Sequence, residues 1–484
     1  MIRKVADKYK TFPVQVRASF WFLICSFMQK GITTITTPIF TRLLSTSEYG
    51  QYSVFNSWLS MITIFVTLQL TSGVYTQGLV KFDTERAVFA SSLQGLSLTL
   101  VLAWTIVYLL FKEFWNAVFS LTTVQMLAML LMLWTTSVFG FWAAEQRVEY
   151  KYQKLVFVTL LVSIAKPVVG IIFVILANDK VTARILGLVL VEVIAYTGLF
   201  FAQMGKGKVF FSSKFWKYAL LFNLPLIPHY LAQNVLNSSD RIMIEKMVGE
   251  DAAGIYSLAY SISLIMTLFN SALSQTISPW MYQKIKEKNV GDIANIAYIS
   301  MTLVAALNLL LIAFAPEIVA VFAPKEYSDA IWVVPPVAMS VFFMFCYDYF
   351  ARFEFYYEKR NFILIASIGG AVLNLVLNYL FIPLYGYCAA GYTTLFCYII
   401  YDIGHYLCMR KICKDYLNGI KVYDVSRIVS ITLGFMLIGF LLLVTYNVIV
   451  LRYIIVMISV VLIVAMRKPI FKCMETIVDM KRTK

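Results

Sequence analysis

Fourteen apolar stretches of roughly 20 residues follow one another along the chain, and they constrain its fold more than any other feature. A helix of about 20 residues crosses the hydrocarbon core of a bilayer, where lipid offers no partner for unpaired backbone groups. Of the 484 residues, 60% are hydrophobic and only 14% are charged, which excludes an ordinary soluble fold. We therefore predict an all-α integral membrane protein with about 14 transmembrane helices. The predicted spans are 18–38, 54–80, 87–111, 122–144, 155–177, 185–204, 218–238, 255–283, 293–315, 330–351, 362–382, 389–409, 428–446 and 448–466.

The distribution of lysine and arginine supports this count of spans. Of 41 basic residues, 31 lie in the segments on the side of the N-terminus and 8 lie in the opposite loops. Basic loops are retained on the cytoplasmic side of a membrane, so both termini are predicted to be cytoplasmic. We attribute the net charge of +15 to these cytoplasmic loops and termini. Because the charge is explained in this way, we expect no nucleic-acid partner. The basic N-terminus leads into an uncleaved first span and not into a signal peptide.

The chain contains one turn twice, at an interval of 204 residues. "RLLSTSEYGQYS" (42–53) aligns without a gap with "KMVGEDAAGIYS" (246–257). The same offset places spans 1–6 on spans 7–12. An even number of spans returns the chain to the side of the membrane from which it started, so both halves have the same orientation. We therefore predict two six-helix lobes related by a pseudo-two-fold axis along the membrane normal. Two C-terminal helices follow the repeat.

This repeat gives the predicted organisation of the chain. It comprises an N-terminal lobe at 1–204, a cytoplasmic linker at 205–217, a C-terminal lobe at 218–409, a cytoplasmic loop at 410–427, spans 13 and 14 at 428–466, and a basic cytoplasmic tail at 467–484.

Polar side chains recur every three or four residues along spans 1, 2, 7 and 8, which places them on one face of each helix. Such stripes also occur as packing contacts between membrane helices. Their equivalent positions in both halves favour a hydrated central cavity. Lys30 lies deep in span 1, where a charge costs roughly 3 kcal/mol or more unless it meets water or a partner. The candidate substrate-binding residues are Lys30, Thr33, Thr37, Ser60, Thr67, Gln233, Asn237, Arg241, Thr267 and Ser271.

Acidic residues inside the spans are few. Glu192, Asp348 and Asp402 are candidates for coupling to a proton or sodium gradient. Each is also a candidate for charge pairing, with Lys30, Lys166 or Arg352 as partners. Arg241 is equally a candidate for fixing the orientation of its span in the membrane or for an ion pair with Asp240.

The sequence does not predict enzyme chemistry. The seven cysteines are scattered without a Cys-x-x-Cys pair, which indicates buried apolar residues and neither a disulfide framework nor a metal site. A phosphate-binding loop of the Gly-x-x-x-x-Gly-Lys-Ser/Thr type is not found, and spacing gives no nucleophile with a base. We expect no cofactor, and the connections are too short for a catalytic domain outside the bilayer.

Three stretches of the sequence resemble a known family. They are "PIFTRLLSTSEYGQYS" (38–53), "SSDRIMIEKMVGEDAAGIYSLAYSIS" (238–263) and "NLVLNYLFIPLYGYCAAGYTT" (374–394). These resemble signatures of the Wzx-type polysaccharide transporters, the lipid-linked oligosaccharide flippases of the multidrug/oligosaccharidyl-lipid/polysaccharide exporter superfamily. "FAPKEYSDAIWVVPPVAMS" (322–340) is similar to the loop that leads into span 10 of that family.

The resemblance implies a function. It implies alternating access of two lobes and transfer of an undecaprenyl-diphosphate-linked oligosaccharide, such as an O-antigen or capsule unit, across the bacterial cytoplasmic membrane. Membrane lipid is then a partner, and a polysaccharide polymerase and chain-length proteins are further candidates. A drug or cation antiporter of the same superfamily is the alternative, and a membrane glycosyltransferase or polymerase is a third class. The short outer loops disfavour the third class.

Overall fold

The computed structural model of the protein describes residues 13–465, and every regular element in that range is helical. The predicted all-α fold class is confirmed. The described chain forms two compact units that divide after Asn234. The predicted tail at 467–484 and most of the basic N-terminal segment lie outside the described residues, and the predicted lobe boundaries stay predictions.

Nine helices lie wholly within the described part of the first unit. Helix α8 packs against α4, α6 and α7, and α1 packs against α7. The helices are α1 (Val14–Leu43), α2 (Thr46–Thr67), α3 (Val74–Lys81), α4 (Arg86–Leu110), α5 (Lys112–Phe119), α6 (Thr123–Val148), α7 (Tyr152–Leu176), α8 (Lys180–Gly207) and α9 (Ser213–Asn223).

The boundary between the units lies within α10 (Ile227–Met247), and the remaining helices belong to the second unit. Its centre is α17, which packs against α15 and α16, while α18 packs on α13. These helices are α11 (Glu250–Ser263), α12 (Met266–Lys286), α13 (Ile293–Ala313), α14 (Ala315–Phe322), α15 (Val334–Tyr356), α16 (Arg360–Tyr385), α17 (Cys388–Tyr416), α18 (Val425–Val444) and α19 (Ile449–Ala465).

Helix boundaries repeat at the interval found in the sequence. Helices α1 and α10 end at Leu43 and Met247, and α2 and α11 begin at Thr46 and Glu250, so that both pairs are 204 residues apart. The turn before α2 is closed by a capping box between Ser45 and Glu48, which satisfies free N–H groups of the first helical turn. The repeated turn therefore precedes α2 in the first unit and α11 in the second.

The helix predicted at 54–80 is broken in two, and those predicted at 218–238 and 255–283 contain an interruption, although the third still lies within one candidate membrane span, Glu250–Lys286. The first breaks after α2, where Leu68 and Gln69 adopt positive φ angles of 49° and 51°. The side-chain amide of Asn223 donates to both of their carbonyl oxygens, at 2.8 and 2.9 Å, and so satisfies backbone groups that the break releases. The hydropathy of one segment carries no information about a hydrogen bond to a distant residue. This explains why one continuous helix was predicted at 54–80.

The second break falls at a 3-10 turn, Leu224–Leu226, that contains Pro225, a residue without an N–H donor. The third falls between α11 and α12. Helix α17 continues to Tyr416 and so extends into the loop predicted at 410–427. By contrast, the predicted limits of spans 13 and 14, 428–446 and 448–466, leave one residue between them, and a tight turn, Thr445–Asn447, lies there.

Within residues 13–465, nine helices are long and apolar enough to cross a membrane by length and composition. The helices α1, α2, α10 and α17 are not among them, because polar residues lower their mean hydropathy. Large apolar side chains such as Leu110, Leu176 and Ile194 are exposed on the outer surfaces of the first unit. In a bilayer these surfaces face lipid.

Candidate functional site

One face of helix α1 is polar and accessible. Ser26, Lys30, Thr33 and Thr37 follow one another at intervals of three or four residues; the first three are exposed and Thr37 is half-buried. The Thr33 hydroxyl donates to the Gln29 carbonyl at 3.1 Å, and the Thr37 hydroxyl donates to the Thr33 carbonyl at 2.9 Å. The hydroxyl oxygens thus remain available as acceptors beside the Lys30 ammonium.

The opposite face of α1 is apolar and also accessible. Met28, Ile35 and Ile39 are exposed, and Ile35 retains 69% of its accessible surface. At 100° per residue this face lies about half a turn from Lys30. A third face packs on α7, where the Gln29 amide donates to the Ser163 hydroxyl at 3.3 Å. A helix with opposite polar and apolar exposed faces is suited to separate water from lipid.

The predicted stripe on α2 is divided between two environments. Ser60 is half-buried and donates to the Asn56 carbonyl at 3.0 Å. Thr67 is buried, donates to the Thr63 carbonyl at 2.7 Å and accepts the Gln69 N–H at 3.2 Å. Thr67 therefore supports the break after α2, whereas Ser60 remains partly accessible.

Along α10 the predicted residues follow one helical face. Gln233 and Asn237 are exposed, one turn apart. Arg241, one turn further, is half-buried and donates to the Asn237 carbonyl at 3.1 Å. Its guanidinium lies 4.3 Å from the centroid of the Tyr260 ring, a cation–π distance.

The two predicted residues of α12 are half-buried. The Thr267 hydroxyl donates to the Leu264 carbonyl at 2.6 Å, at the break that precedes this helix. Ser271 lies one turn further along. Like the Thr67 hydroxyl, the Thr267 hydroxyl forms a hydrogen bond at a point where a helix is interrupted.

Two of the three coupling candidates have charged partners. Glu192 on α8 is buried, 2.5 Å from the Lys166 ammonium on α7 and 2.5 Å from the Thr135 hydroxyl on α6. Asp348 on α15 pairs with Arg352 one turn away and accepts the Ser274 hydroxyl at 2.7 Å. The charge pairing left open by the sequence is therefore present at both.

Asp402 differs from these two residues. It is buried on α17, and its Oδ1 atom has no hydrogen-bond partner among the described residues.

A buried polar network around Asp240 was not anticipated from sequence. Asp240 Oδ2 accepts the Tyr256 hydroxyl at 2.6 Å and the Thr394 hydroxyl at 3.0 Å, and Oδ1 accepts the Asn378 amide at 2.6 Å. The Asn378 amide also donates to Asn374 at 3.2 Å. These donors compensate the burial of a carboxylate that is 1% exposed. The signal in the sequence that could have indicated it is the i,i+4 spacing of Asn374 and Asn378 on α16.

A second missed pair lies between α15 and α17. His405 Nδ1 is 2.8 Å from Glu354 Oε2, and both side chains are fully buried. Glu354 was not a candidate in the sequence because it follows the predicted end of span 10.

Two protein-family models match the chain. Residues 16–285 match the model of a family described as polysaccharide biosynthesis protein, and residues 225–380 match the MatE family model. A protein of the Lsg locus of Haemophilus influenzae is 22% identical over 383 residues, which cover 73% of this chain and 87% of that protein.

Two solved structures have a similar fold. The lipid II flippase MurJ in an inward closed conformation is 14% identical with a TM-score of 0.70, covering 92% of this chain and 98% of that one. An inward-facing multidrug resistance MATE family transporter of the MOP superfamily is 15% identical with a TM-score of 0.60, covering 81% and 96%. At these identities the likeness concerns the fold alone.

Proposed function

Since this chain belongs to the polysaccharide biosynthesis protein family, as its motifs had indicated, we propose that it is a flippase for a lipid-linked oligosaccharide. The substrate is an oligosaccharide carried on undecaprenyl diphosphate. It moves from the inner to the outer leaflet of the bacterial cytoplasmic membrane by alternating access. The multi-pass membrane character and the transporter fold support this proposal.

The observation that carries the proposal is Lys30 on the polar face of α1. An ammonium at that depth is tolerated where it meets water or an anion, and its face lies opposite the exposed apolar face. A lysine binds phosphate as a point charge, and neighbouring hydroxyls can bond sugar or phosphate oxygens. Lys30 therefore receives the diphosphate, with Thr33 and Thr37 beside it.

The remaining steps follow from this role. The headgroup enters from the cytoplasm, the lobes exchange accessibility, and a proton or sodium gradient resets them. Both termini remain cytoplasmic, and a polymerase and chain-length proteins use the exported lipid-linked unit.

The alternative is a drug or cation antiporter of the same superfamily. A cationic substrate would be repelled by Lys30, and in the first unit Glu192 is already paired with Lys166. Efflux of cationic dyes therefore separates the two functions, since a flippase of this kind leaves dye accumulation unchanged.

Replacement of Lys30 tests the proposal directly. Lys30→Ala removes a charge-assisted contact of about 1.5–3 kcal/mol, so export of surface polysaccharide should fall by roughly 10- to 100-fold. Lys30→Arg should retain part of the activity because the charge remains. Surface polysaccharide is measured by immunoblot at equal protein levels in the membrane.

Lys154→Ala, an exposed lysine in the first turn of α7, is the matched control and should export normally. Full export by Lys30→Ala would remove Lys30 from the mechanism. Deletion of the gene should cause one lipid-linked intermediate to accumulate on the inner leaflet, and its analysis identifies the sugar.

A further inference from the structure

Three ionisable side chains lie together in the interior of the second unit. We call Glu354, Asp402 and His405 the acid–histidine cluster. Their exposed fractions are 0%, 6% and 2%. Asp402 and His405 are three residues apart on α17 and so share one face of the helix, and Glu354 approaches from α15.

The polar atoms of the cluster are only partly satisfied. The contact between His405 Nδ1 and Glu354 Oε2, at 2.8 Å, uses one atom of each group. Among the described residues, no hydrogen-bond partner is found for Glu354 Oε1, His405 Nε2 or Asp402 Oδ1. Burial of a polar atom without a hydrogen bond costs free energy, so these three atoms are open to an additional donor or to a proton.

Among the described residues, the salt bridge between His405 and Glu354 is the one contact of opposite charge found within the cluster, and the neighbouring ionisable groups lie around it. On α15, Arg352 is engaged by Asp348, and Cys346 and Tyr347 are uncharged. On α16, Phe362 packs its ring 5.6 Å from the imidazole, and Ser367 bonds the Tyr401 hydroxyl. The groups of α17 itself that face this region are Tyr398, Tyr401, Cys408 and Lys411.

A cavity brings water close to the cluster. It has a volume of about 920 Å³ and lies where α15 ends and α16 begins, beside α17. Phe362 and Cys408 line it, and the Phe362 ring also packs on the His405 imidazole, with 5.6 Å between the ring centroids. One side chain therefore lies between the cavity and the cluster. The charged rim consists of Glu358, Lys359, Lys411 and Asp415.

This cavity belongs to the predicted cytoplasmic side, because the loop between spans 10 and 11 lies on the same side as the N-terminus. Imidazole can accept a proton on one ring nitrogen and release one from the other. A proton from the cavity can thus reach the Glu354–His405 pair, and Asp402 lies one turn before His405 on the same helix. No bond other than those to the proton is made or broken.

We propose that the acid–histidine cluster is a proton-binding site, loaded from the cytoplasmic cavity, whose protonation drives the conformational cycle of transport. The coupling half of this inference rests on the proposed flippase function. The proton-binding half does not, since it depends only on the buried groups and their access to water.

Infrared difference spectroscopy tests proton binding without a substrate. Purified full-length protein in lipid nanodiscs is compared at about pH 5 and about pH 8, the range in which histidine changes its charge. The wild type should lose a protonated-carboxyl signal as pH rises, and Asp402→Asn should reduce that signal. Glu326→Gln, an exposed control, should retain it. Equal signals in the wild type and Asp402→Asn overturn the site.

The coupling half is tested by export of surface polysaccharide. Asp402→Asn and His405→Gln should each reduce export at least tenfold while the melting temperature stays within a few degrees of the wild type. Export equal to the wild type in both variants would overturn coupling through this cluster. A Lys30→Ala protein that exports normally but retains the infrared signal would defeat the flippase mechanism and leave the proton site standing.

Discussion

Arg184 shows at the scale of one residue how the first unit accommodates charge near its core. The side chain is buried on α8, and its guanidinium carbon lies 3.6 Å from the Phe40 ring centroid and 3.5 Å from that of Tyr52. Stacking on two aromatic faces compensates part of the lost hydration. The three residues thereby join α8 to α1 and α2.

Substitution of Arg184 should destabilise the protein. A desolvated cation–π contact contributes about 2 kcal/mol, and Lys lacks the planar group that stacks on both rings. Arg184→Lys should therefore lower the melting temperature in detergent by several degrees, and Arg184→Ala should lower it further.

The matched control is Arg427→Lys. Arg427 is exposed and stands 5.7 Å from a single ring, that of Tyr298, so we expect no measurable change. If the Arg184→Lys protein had the same melting temperature as the wild type, stacking on the two rings would not stabilise this unit.

At the scale of the element, α1 has two exposed faces of opposite character. In a protein whose native cysteines are replaced, Thr33→Cys should react with a membrane-impermeant maleimide from the aqueous phase, and Ile35→Cys should not. The reason is that Thr33 lies on the polar face and Ile35 on the apolar face. Labelling is measured by a mass shift on a gel, with denatured protein as the control for reactivity. Equal labelling at both positions would contradict this assignment.

The last hairpin is anchored by an ion pair whose arginine is buried and whose carboxylate is partly exposed. Arg452, at the start of α19, pairs with Glu317 on α14, and the Tyr453 hydroxyl donates to the same carboxylate at 2.9 Å. The Tyr446 hydroxyl donates to the Ile312 carbonyl at 2.6 Å and fixes the turn before α19. The ion pair therefore joins a helix added after the repeat to the repeat itself.

Removal of one partner of this pair should open the hairpin. Glu317→Gln leaves the buried Arg452 guanidinium without its charge partner, which costs about 1–3 kcal/mol because the carboxylate that is removed is partly solvated. Hydrogen exchange in α19 should accelerate by about tenfold or more, while exchange in α8 stays unchanged. The double variant with Arg452→Met should recover most of the protection, because no unpaired buried charge remains. Unchanged exchange in Glu317→Gln would show that the apolar contacts of α19 suffice.

At the scale of the whole molecule, the positive-inside distribution fixes a testable topology. A fluorescent-protein fusion after Lys208, between α8 and α9, should fluoresce because this loop is predicted to be cytoplasmic. A fusion after Asn178, between α7 and α8, should not fluoresce but should be active with alkaline phosphatase. The reverse pattern at either position would show that a span has been missed or invented.

The repeat explains why so much of this architecture could be predicted. Two units with helices at matching intervals follow from one turn found twice, and the family match covers that turn in both copies. The interrupted helices could not be predicted in this way, because Asn223 stabilises a break 154 residues earlier in the chain.

The sequence by itself determined the helical class, the repeat, the family and the presence of charge inside spans, because these depend on local composition and spacing. Only the tertiary structure decided which charges are compensated: Glu192 by Lys166, Asp348 by Arg352, and Asp402 by no hydrogen bond to Oδ1 among the described residues. The physical reason is that desolvation depends on which side chains meet across helices, and hydropathy along one helix carries no information about its neighbours.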